Sequence, residues 1–513
     1  MRMGKIVTKQ DFKDAIRPML KGQGKTIALC HGVFDLVHPG HLAHLKQAKA
    51  AADVLVVSVT ASRFVRKGPG RPYFDDGTRM EFLAAIDCVD HVLLSEGHTV
   101  ADIVEAVEPD LYVKGEEYSR EDEDVTGKIR AERELVERHG GRIHYTTGPV
   151  WSSTRLINTA LSGLTDEVRG WMEGFRRRHP FDAIKRWADA AASLSVLVVG
   201  DVIIDRYSYC DVLGLISKEA SWSAQLRSTE DHWGGSVAIA RHLASFAGRV
   251  GLLSVVGDEP DVNVGLRAGL SRQMELSLVR SKAFPTIVKQ RYLTRNSKRE
   301  EYRKIFTVNN IPKDPCIDEQ ASRAFKETLR QRVAEHDAVF VCDFGHGLID
   351  EEAMEIAQSG AKFLALNCQT NSSNMGMNPI TKYLRADAFT LDQKELRLAF
   401  PKHAGDEEAR LRALSSHLGC GGWLTRGPEG AWAVDGEGII QSTPAYTLRV
   451  KDTVGAGDAF YAVACIAAAA GAPGEVGLFL GNVAGALGAN IVGNREAVDK
   501  VDVLKYASTL MNV

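Results

Sequence analysis

Residues 25–60, KTIALCHGVFDLVHPGHLAHLKQAKAAADVLVVSVT, place two strand-length apolar runs on either side of a Gly/Pro turn and an Ala/Leu-rich helical stretch. Runs that are apolar at every position, rather than at alternate ones, belong to strands buried on both faces, and such strands sit in parallel sheets crossed by helices. The segment predicts a βαβ unit. The alternation continues with a helix over 78–86, a strand over 91–94, a helix over 99–107 and a strand over 110–114. A charged helix over 125–139, a strand over 142–145 and a helix starting near Ser152 follow. Together they predict a parallel α/β domain spanning residues 1–163.

Residues 164–193 carry helical spacing and many charges but no strand, and read as a helical connector. The run VLVVGD over 196–201 restarts the alternation, and strands are expected at 250–255, 338–342, 363–366, 388–391 and 422–425. This second α/β domain occupies residues 194–513. Two stretches within it, 220–226 and 287–295, alternate polar with apolar residues, the pattern of a half-exposed antiparallel lid. Between Lys282 and Lys304 there are eight Lys or Arg against two Glu. That segment is either a solvated outer surface or a lid face turned toward an anion. The expected fold class is α/β, with two Rossmann-like domains, the second bearing a small β lid.

Lys and Arg total 63 against 66 Asp and Glu, for a net charge of -3, so the chain offers no global attraction to nucleic acid or to an acidic membrane. The eight cysteines form no CxxC pair, which points to reduced thiols rather than a zinc or disulfide framework. The first residues lack an apolar signal core, and no apolar stretch reaches membrane-spanning length. A cytoplasmic protein is expected.

The first chemical constellation is HGVFDLVHPGH, with Gly32, Phe34, Asp35, His38, Gly40 and His41 between a strand and a helix start. Backbone N–H groups and the helix dipole favour phosphate at such a start, and two imidazoles there can donate hydrogen bonds to developing negative charge. At these residues the chain resembles the HxGH nucleotidyltransferases, often called cytidylyltransferase-like, over about residues 25–163. KGPGRP over 67–72, with Arg79 following, resembles the substrate and triphosphate loop of the sugar-phosphate members. VKGEEY over 113–118 is similar to their VKGxDY, with Glu117 where Asp is usual, and SSTRLI over 152–157 to their SST helix start.

The resemblance implies catalytic His38 and His41. Gly32, Phe34, Gly40, Arg79, Ser152, Ser153 and Thr154 would hold the nucleotide, while Asp35, Lys67, Arg71 and Lys114 would hold the substrate. The implied reaction is attack of a sugar phosphate on the nucleotide's α-phosphate with release of pyrophosphate, and magnesium bridging the phosphates. ATP is the expected nucleotide, with CTP open.

The second constellation, KDTVGAGDAFYAVACIAAAA, puts Gly455, Ala456 and Gly457 before Asp458 and a helical stretch. Small residues let successive amides approach a phosphate closely, and Asp458 sits where a base takes a proton from a substrate hydroxyl. Here the chain resembles the ribokinase-like sugar kinases over about residues 194–513. The supporting segments are GDVIIDRY over 200–207, WGGSVAIA over 233–240 and LTRGPEG over 424–430. The resemblance implies sugar contacts from Asp205, Gly234 and Gly235 and a phosphate site shaped by Asp452 and Thr453. Thr425, Gly427 and Asn482 would meet the nucleotide, Asp458 would be the base, and Glu395 would influence magnesium indirectly.

Some positions depart from that pattern. Ala238 replaces a sugar-binding Asn, Asp392 replaces the Asn of NxxE, and CDFGHG over 342–347 and LNCQTNSSN over 366–374 replace SDYxKG and DPKG. Together the two resemblances point to the bifunctional kinase and nucleotidyltransferase enzymes of ADP-heptose synthesis, in which the kinase familiarly leads; here the transferase leads. The expected substrates are a sugar phosphate and a nucleoside triphosphate, with self-association through the kinase-like domain. The alternative is an active transferase whose second domain serves as a binding or dimerisation platform.

Overall fold

Strand β1 (Ile27–Gly32) lies at the centre of a parallel sheet with β2 (Val54–Thr60), β3 (His91–Ser95), β4 (Leu111–Gly115) and β5 (Arg142–Thr146), in the order β3-β2-β1-β4-β5. Successive residues serve opposite faces. Ile27 and Leu29 join Phe12, Val56 and Tyr112 in one core, while Ala28 and Cys30 join Leu45, Val57 and Leu83 in the other. Burial on both faces is what makes these strands unbroken apolar runs. The strand order reverses at β1, so a crevice opens beyond its carboxyl end, where the helix Pro39–Ala50 begins.

This computed structural model describes residues 5–65, 71–97, 99–116, 128–147, 165–216, 221–259, 274–295, 302–311, 317–371, 374–401, 406–447 and 450–512. The chain divides into two compact units, Met1–Gly163 with Leu504–Val513, and Leu164–Val503.

In the second unit the strands are β6 (Ser195–Gly200), β7 (Val202–Leu215), β8 (Trp222–Gly235), β9 (Arg249–Val256), β10 (Met274–Arg280), β11 (Ile287–Arg295) and β12 (Tyr302–Asn310). They continue as β13 (Ala338–Asp343), β14 (Leu364–Cys368), β15 (Ala388–Asp392), β16 (Gly422–Thr425), β17 (Ala431–Val434) and β18 (Ile440–Thr443). The main sheet runs β10-β9-β6-β13-β14-β15-β16-β17-β18, parallel from β10 to β16 and antiparallel for the last two strands. Strands β10, β17 and β18 are not expected from the sequence: the last two have only four residues each, and β10 alternates like a surface segment.

A separate sheet, β12-β11-β7-β8, forms the lid. It is larger than the two expected strands and not purely antiparallel, because β11 pairs parallel to β7. The chain leaves β7 and β8 to build β9 and β10 in the main sheet, then re-enters the lid in the direction in which β7 left it.

The segment read as a helical connector forms the helices Asp166–Arg178 and Phe181–Ala190, which pack within the second unit. Phe175 is fully buried with its ring 4.6 Å from Phe479, and Arg178 and His179 both reach the buried carboxylate of Glu475, at 2.5 and 2.9 Å.

Candidate active site

Beyond β1 in the first unit, the backbone turns through Phe34, which holds a left-handed φ of 49°. A Cβ at Gly32 would lie 3.2 Å from the Phe34 ring, tight enough that the ring would have to shift by a few tenths of an ångström. His38 then caps the helix Pro39–Ala50, its Nδ1 accepting the His41 N–H at 3.2 Å. The two imidazoles stack with centroids 3.9 Å apart. Because Nδ1 is the acceptor, the neutral His38 ring carries its proton on Nε2, and that buried nitrogen has no partner. Burial also lowers the His38 pKa, which keeps the ring neutral at pH 7. The result is an uncommitted N–H donor beside a helix N-terminus, a pairing suited to phosphate.

Neighbouring strand ends supply further polar groups. His31 bonds Ser58 Oγ through Nδ1 at 2.7 Å, and His44 bonds Thr146 Oγ1 at 2.7 Å. Burial, reinforced by the charge of Lys114, holds the His44 pKa down to about 4.

In the second unit the helix Ala456–Ala469 starts after Gly455, whose φ is 83°. A Cβ at Gly455 would fall 1.9 Å from Asn494 Oδ1, so glycine is required twice over, by conformation and by space. Asp458 lies in the first turn, buried, with Oδ1 accepting from Gln369 Nε2 at 2.7 Å. Burial pushes its pKa up to about 6, Asp205 adding to the rise and Gln369 and Lys289 opposing it. A carboxyl tuned toward neutrality is a competent proton acceptor at pH 7.

The lid faces this helix start with Asp205, which receives Arg291 Nη1 at 2.5 Å and Asn494 Nδ2 at 3.5 Å. A Cβ at Gly234 would sit 2.1 Å from Asp205 Oδ2, and Gly235 adopts φ 59°. The adjacent glycines let β8 pass tightly against the carboxylate. Asp452 ties the lid to the phosphate loop, accepting from Tyr207 Oη at 2.9 Å and from the Gly493 N–H at 3.2 Å.

Comparison with known proteins agrees with this division. Residues 29–159 match the family Cytidylyltransferase-like, and residues 286–500 match the pfkB family carbohydrate kinase. The chain joins a cytidylyltransferase-like domain to a pfkB-family carbohydrate kinase domain. Bifunctional protein HldE of Trichlorobacter lovleyi is 36% identical over 152 residues, 29% of this chain and 29% of that protein. Bifunctional protein HldE of Geobacter metallireducens is 39% identical over 150 residues, again 29% of each. The chain thus spans less than a third of the length of the curated relatives it matches. A crystal structure of a Phosphofructokinase-2 mutant from Escherichia coli superposes with a TM-score of 0.50 at 16% identity, covering 62% of this chain and 99% of that one, a likeness of fold.

In the cytidylyltransferase-like domain, several residues expected to meet ligands are engaged with protein. Asp35 and Arg71 form a buried ion pair at 2.9 Å, and Asp35 also accepts the Tyr73 and Phe74 N–H groups at 2.6 and 3.1 Å. Arg79 is almost fully buried. Its Nε reaches Phe74 O, its Nη1 reaches Val33 O and Thr60 O, and its Nη2 reaches Ser62 Oγ and Asp76. With all five donors engaged, Arg79 braces the loops after β1 and β2 and has none left for a nucleotide phosphate. Lys114 pairs with Glu132 at 2.8 Å. Gly40 lies in the first turn of its helix. Lys67, Ser152, Ser153 and Thr154 lie outside the described residues.

In the kinase domain, Thr425 closes β16 with Oγ1 3.4 Å from Leu391 O, and Gly427 turns the chain with φ 56°. Asn482 Nδ2 donates to Pro444 O at 2.7 Å. Ala456 and Gly457 open the helix before Asp458, with open space where a Gly457 side chain would be. Glu395 is half-buried, with its pKa raised by desolvation and by Asp392. Both its oxygens accept backbone N–H groups, from Thr370 and Asp392. Among the described residues no three His, Cys, Asp or Glu side chains cluster as a metal site.

Sequence reasoning misses Lys289 and Arg291. The basic segment was legible only as a charge count, yet their spacing of two on one strand puts both on the lid face that carries Asp205 and Tyr207, with which they register.

Proposed function

We propose that this chain makes a nucleotide-activated sugar in two reactions. The kinase domain phosphorylates a heptose-like sugar or sugar phosphate, and the cytidylyltransferase-like domain joins a sugar 1-phosphate to the nucleotidyl group of ATP. In the second reaction an oxygen of the sugar phosphate bonds to the α-phosphorus while the bond to the β-phosphate breaks, releasing pyrophosphate. The observation that carries this reading is the partnerless Nε2–H of His38, stacked on His41 at a helix start, a donor held ready for charge on the reacting phosphates. In the kinase reaction Asp458 takes the proton of the attacking hydroxyl, and the amides of 455–457 receive the transferred phosphoryl group. The magnesium enters with the triphosphate as part of the substrate.

A second reading, a kinase-like domain that binds without turnover, is favoured by Gln369, whose Nε2 already occupies one of the two carboxylate oxygens of Asp458. A screen of sugars and sugar phosphates with ATP and with CTP, recording ADP and pyrophosphate separately, decides between the two and identifies the nucleotide. Sugar-dependent ADP supports two activities; pyrophosphate without ADP supports the platform.

Self-association through the lid is part of the proposal. Val212, Trp222, Leu226, Phe306 and Val308 are exposed on the lid face opposite Asp205, where strand pairing aligns them. A second copy would cover this apolar surface. No described helix is long and apolar enough to cross a membrane, and the seven described cysteines are free thiols, which suits a reducing cytoplasm.

A further inference from the structure

The second unit begins at Leu164, before the residues read as its kinase domain. Helix Asp166–Arg178 and its cap set Trp171, Phe175 and His179 four residues apart, one above another on one face. That ladder lies along the helix Gly474–Gly488. The Trp171 ring stacks on Phe175 at 4.8 Å, and the two rings approach Phe479 at 6.2 and 4.6 Å respectively. One turn before Phe479, Glu475 is held by Arg178 and His179. One turn after it comes Asn482, expected beside the nucleotide. The connector is thus fastened at two successive turns to the helix that carries Asn482.

Trp171 also reaches a second element. Strand β18 is an edge of the main sheet, and the indole Nε1–H donates to Ser442 O on it at 2.6 Å. The turn that follows, residues 443–446, is held by further contacts. Asn482 Nδ2 donates to Pro444 O at 2.7 Å. The buried Tyr446 bonds Thr443 Oγ1 through its hydroxyl at 2.6 Å, with its ring 5.9 Å from Trp171 and 5.8 Å from Phe479. The turn over residues 427–430 runs against it as well: a Cβ at Gly430, whose φ is 90°, would fall 2.0 Å from Thr443 O. The 443–446 turn therefore touches both elements expected to meet the nucleotide, the 427–430 turn and Asn482. Trp171 ties that turn to the connector. An indole N–H can only donate, and a stacked ring fixes its direction, so the position of Ser442 follows the position of the helix.

We propose that Trp171 is a positioning residue for the nucleotide of the kinase domain. Held by Phe175 and Phe479 and bonded to Ser442 O, it fixes the 443–446 turn, and through it the 427–430 turn and Asn482, in the arrangement that receives the nucleoside end of ATP. This inference rests on the reading of the second unit as a sugar kinase domain with its nucleotide at Gly427 and Asn482. It makes the connector a working part of that domain rather than a link to it.

The test uses the full chain, with ADP formation for turnover and ¹⁹F NMR of the 5-fluorotryptophan-labelled protein for binding. The Trp171 signal is the one missing from Trp171→Phe. Magnesium ADP should shift that signal saturably in the parent. Trp171→Ala should raise the KM for ATP about tenfold, and Trp171→Phe, which keeps the stack and loses only the bond to Ser442 O, should raise it by less. In both variants kcat at saturating ATP and the KM for the sugar should stay within about twofold of the parent. Arg178→Ala, which keeps Trp171 but loosens the hold on Glu475, should move the midpoint of the magnesium ADP titration to higher concentration. A merely structural role would lower the melting temperature and the active fraction, and hence kcat, while leaving the KM for ATP in place. The inference is overturned by a Trp171 signal that ignores magnesium ADP, by a KM for ATP unchanged in both Trp171 variants, or by an unmoved midpoint in Arg178→Ala. Sugar-dependent ADP formation that persists alongside any of these leaves the kinase reading standing. A parent whose signal shifts without ADP formation, with the midpoint displaced in Arg178→Ala, keeps the inference and removes turnover.

Discussion

At the scale of single residues, each proposed reaction would use a side chain whose protonation the fold has set. His38 presents a neutral ring with its proton on Nε2, because Nδ1 is committed to the His41 N–H and burial disfavours the imidazolium. Pyrophosphate release should therefore be flat from pH 7 to 9 in a stopped assay; a fall across that range would mean that a charged imidazole is the donor. His38→Ala should cost on the order of a hundredfold in rate. Asp458 presents the opposite case. Its pKa in the fold, about 6, lies above the ordinary value of 3.8, so the folded state binds a proton more readily than the unfolded state. That preference destabilises the fold above pH 6 and fades as the pH falls toward 4. Asp458→Asn should melt higher at pH 8, by a margin on the order of 3 kcal/mol that disappears near pH 4, while ADP formation is lost. A variant that melts lower at pH 8 would show Asp458 to be structural.

At the scale of elements, what was legible in the sequence followed from burial. Strands β1, β2, β6 and β13 are sealed on both faces and show as unbroken apolar runs, and the helix start at Gly455 shows because it needs a small residue where the backbone turns. The lid was only partly legible, since its strands have one exposed face and β12 is hidden in a basic run. The burial of Arg79 was not legible at all: one arginine in a helix looks the same whether it meets phosphate or five protein acceptors. The lid's outer face gives a prediction at this scale. Trp222→Asp with Leu226→Asp should convert a self-associated protein to a monomer in analytical ultracentrifugation while leaving the far-ultraviolet spectrum intact. An unchanged sedimentation coefficient would remove the lid from the interface.

For the whole molecule, the central claim is that one chain carries two separable chemistries, one in each compact unit. Each unit has its own parallel sheet, reversal of strand order and glycine-bearing helix start, so on the proposed reading loss of one reaction should leave the other intact. The direct measurement is a ³¹P NMR time course of the full chain with magnesium ATP and an accepted unphosphorylated sugar, whose phosphorylation at the anomeric carbon yields the sugar 1-phosphate for the second reaction, run in parallel on the parent, His41→Ala and Asp458→Asn. The account predicts ADP followed by pyrophosphate in the parent and ADP alone in His41→Ala. Asp458→Asn should give neither until a sugar 1-phosphate is added, which restores pyrophosphate. ADP and pyrophosphate lost together in both variants, even with the sugar 1-phosphate supplied, would contradict it.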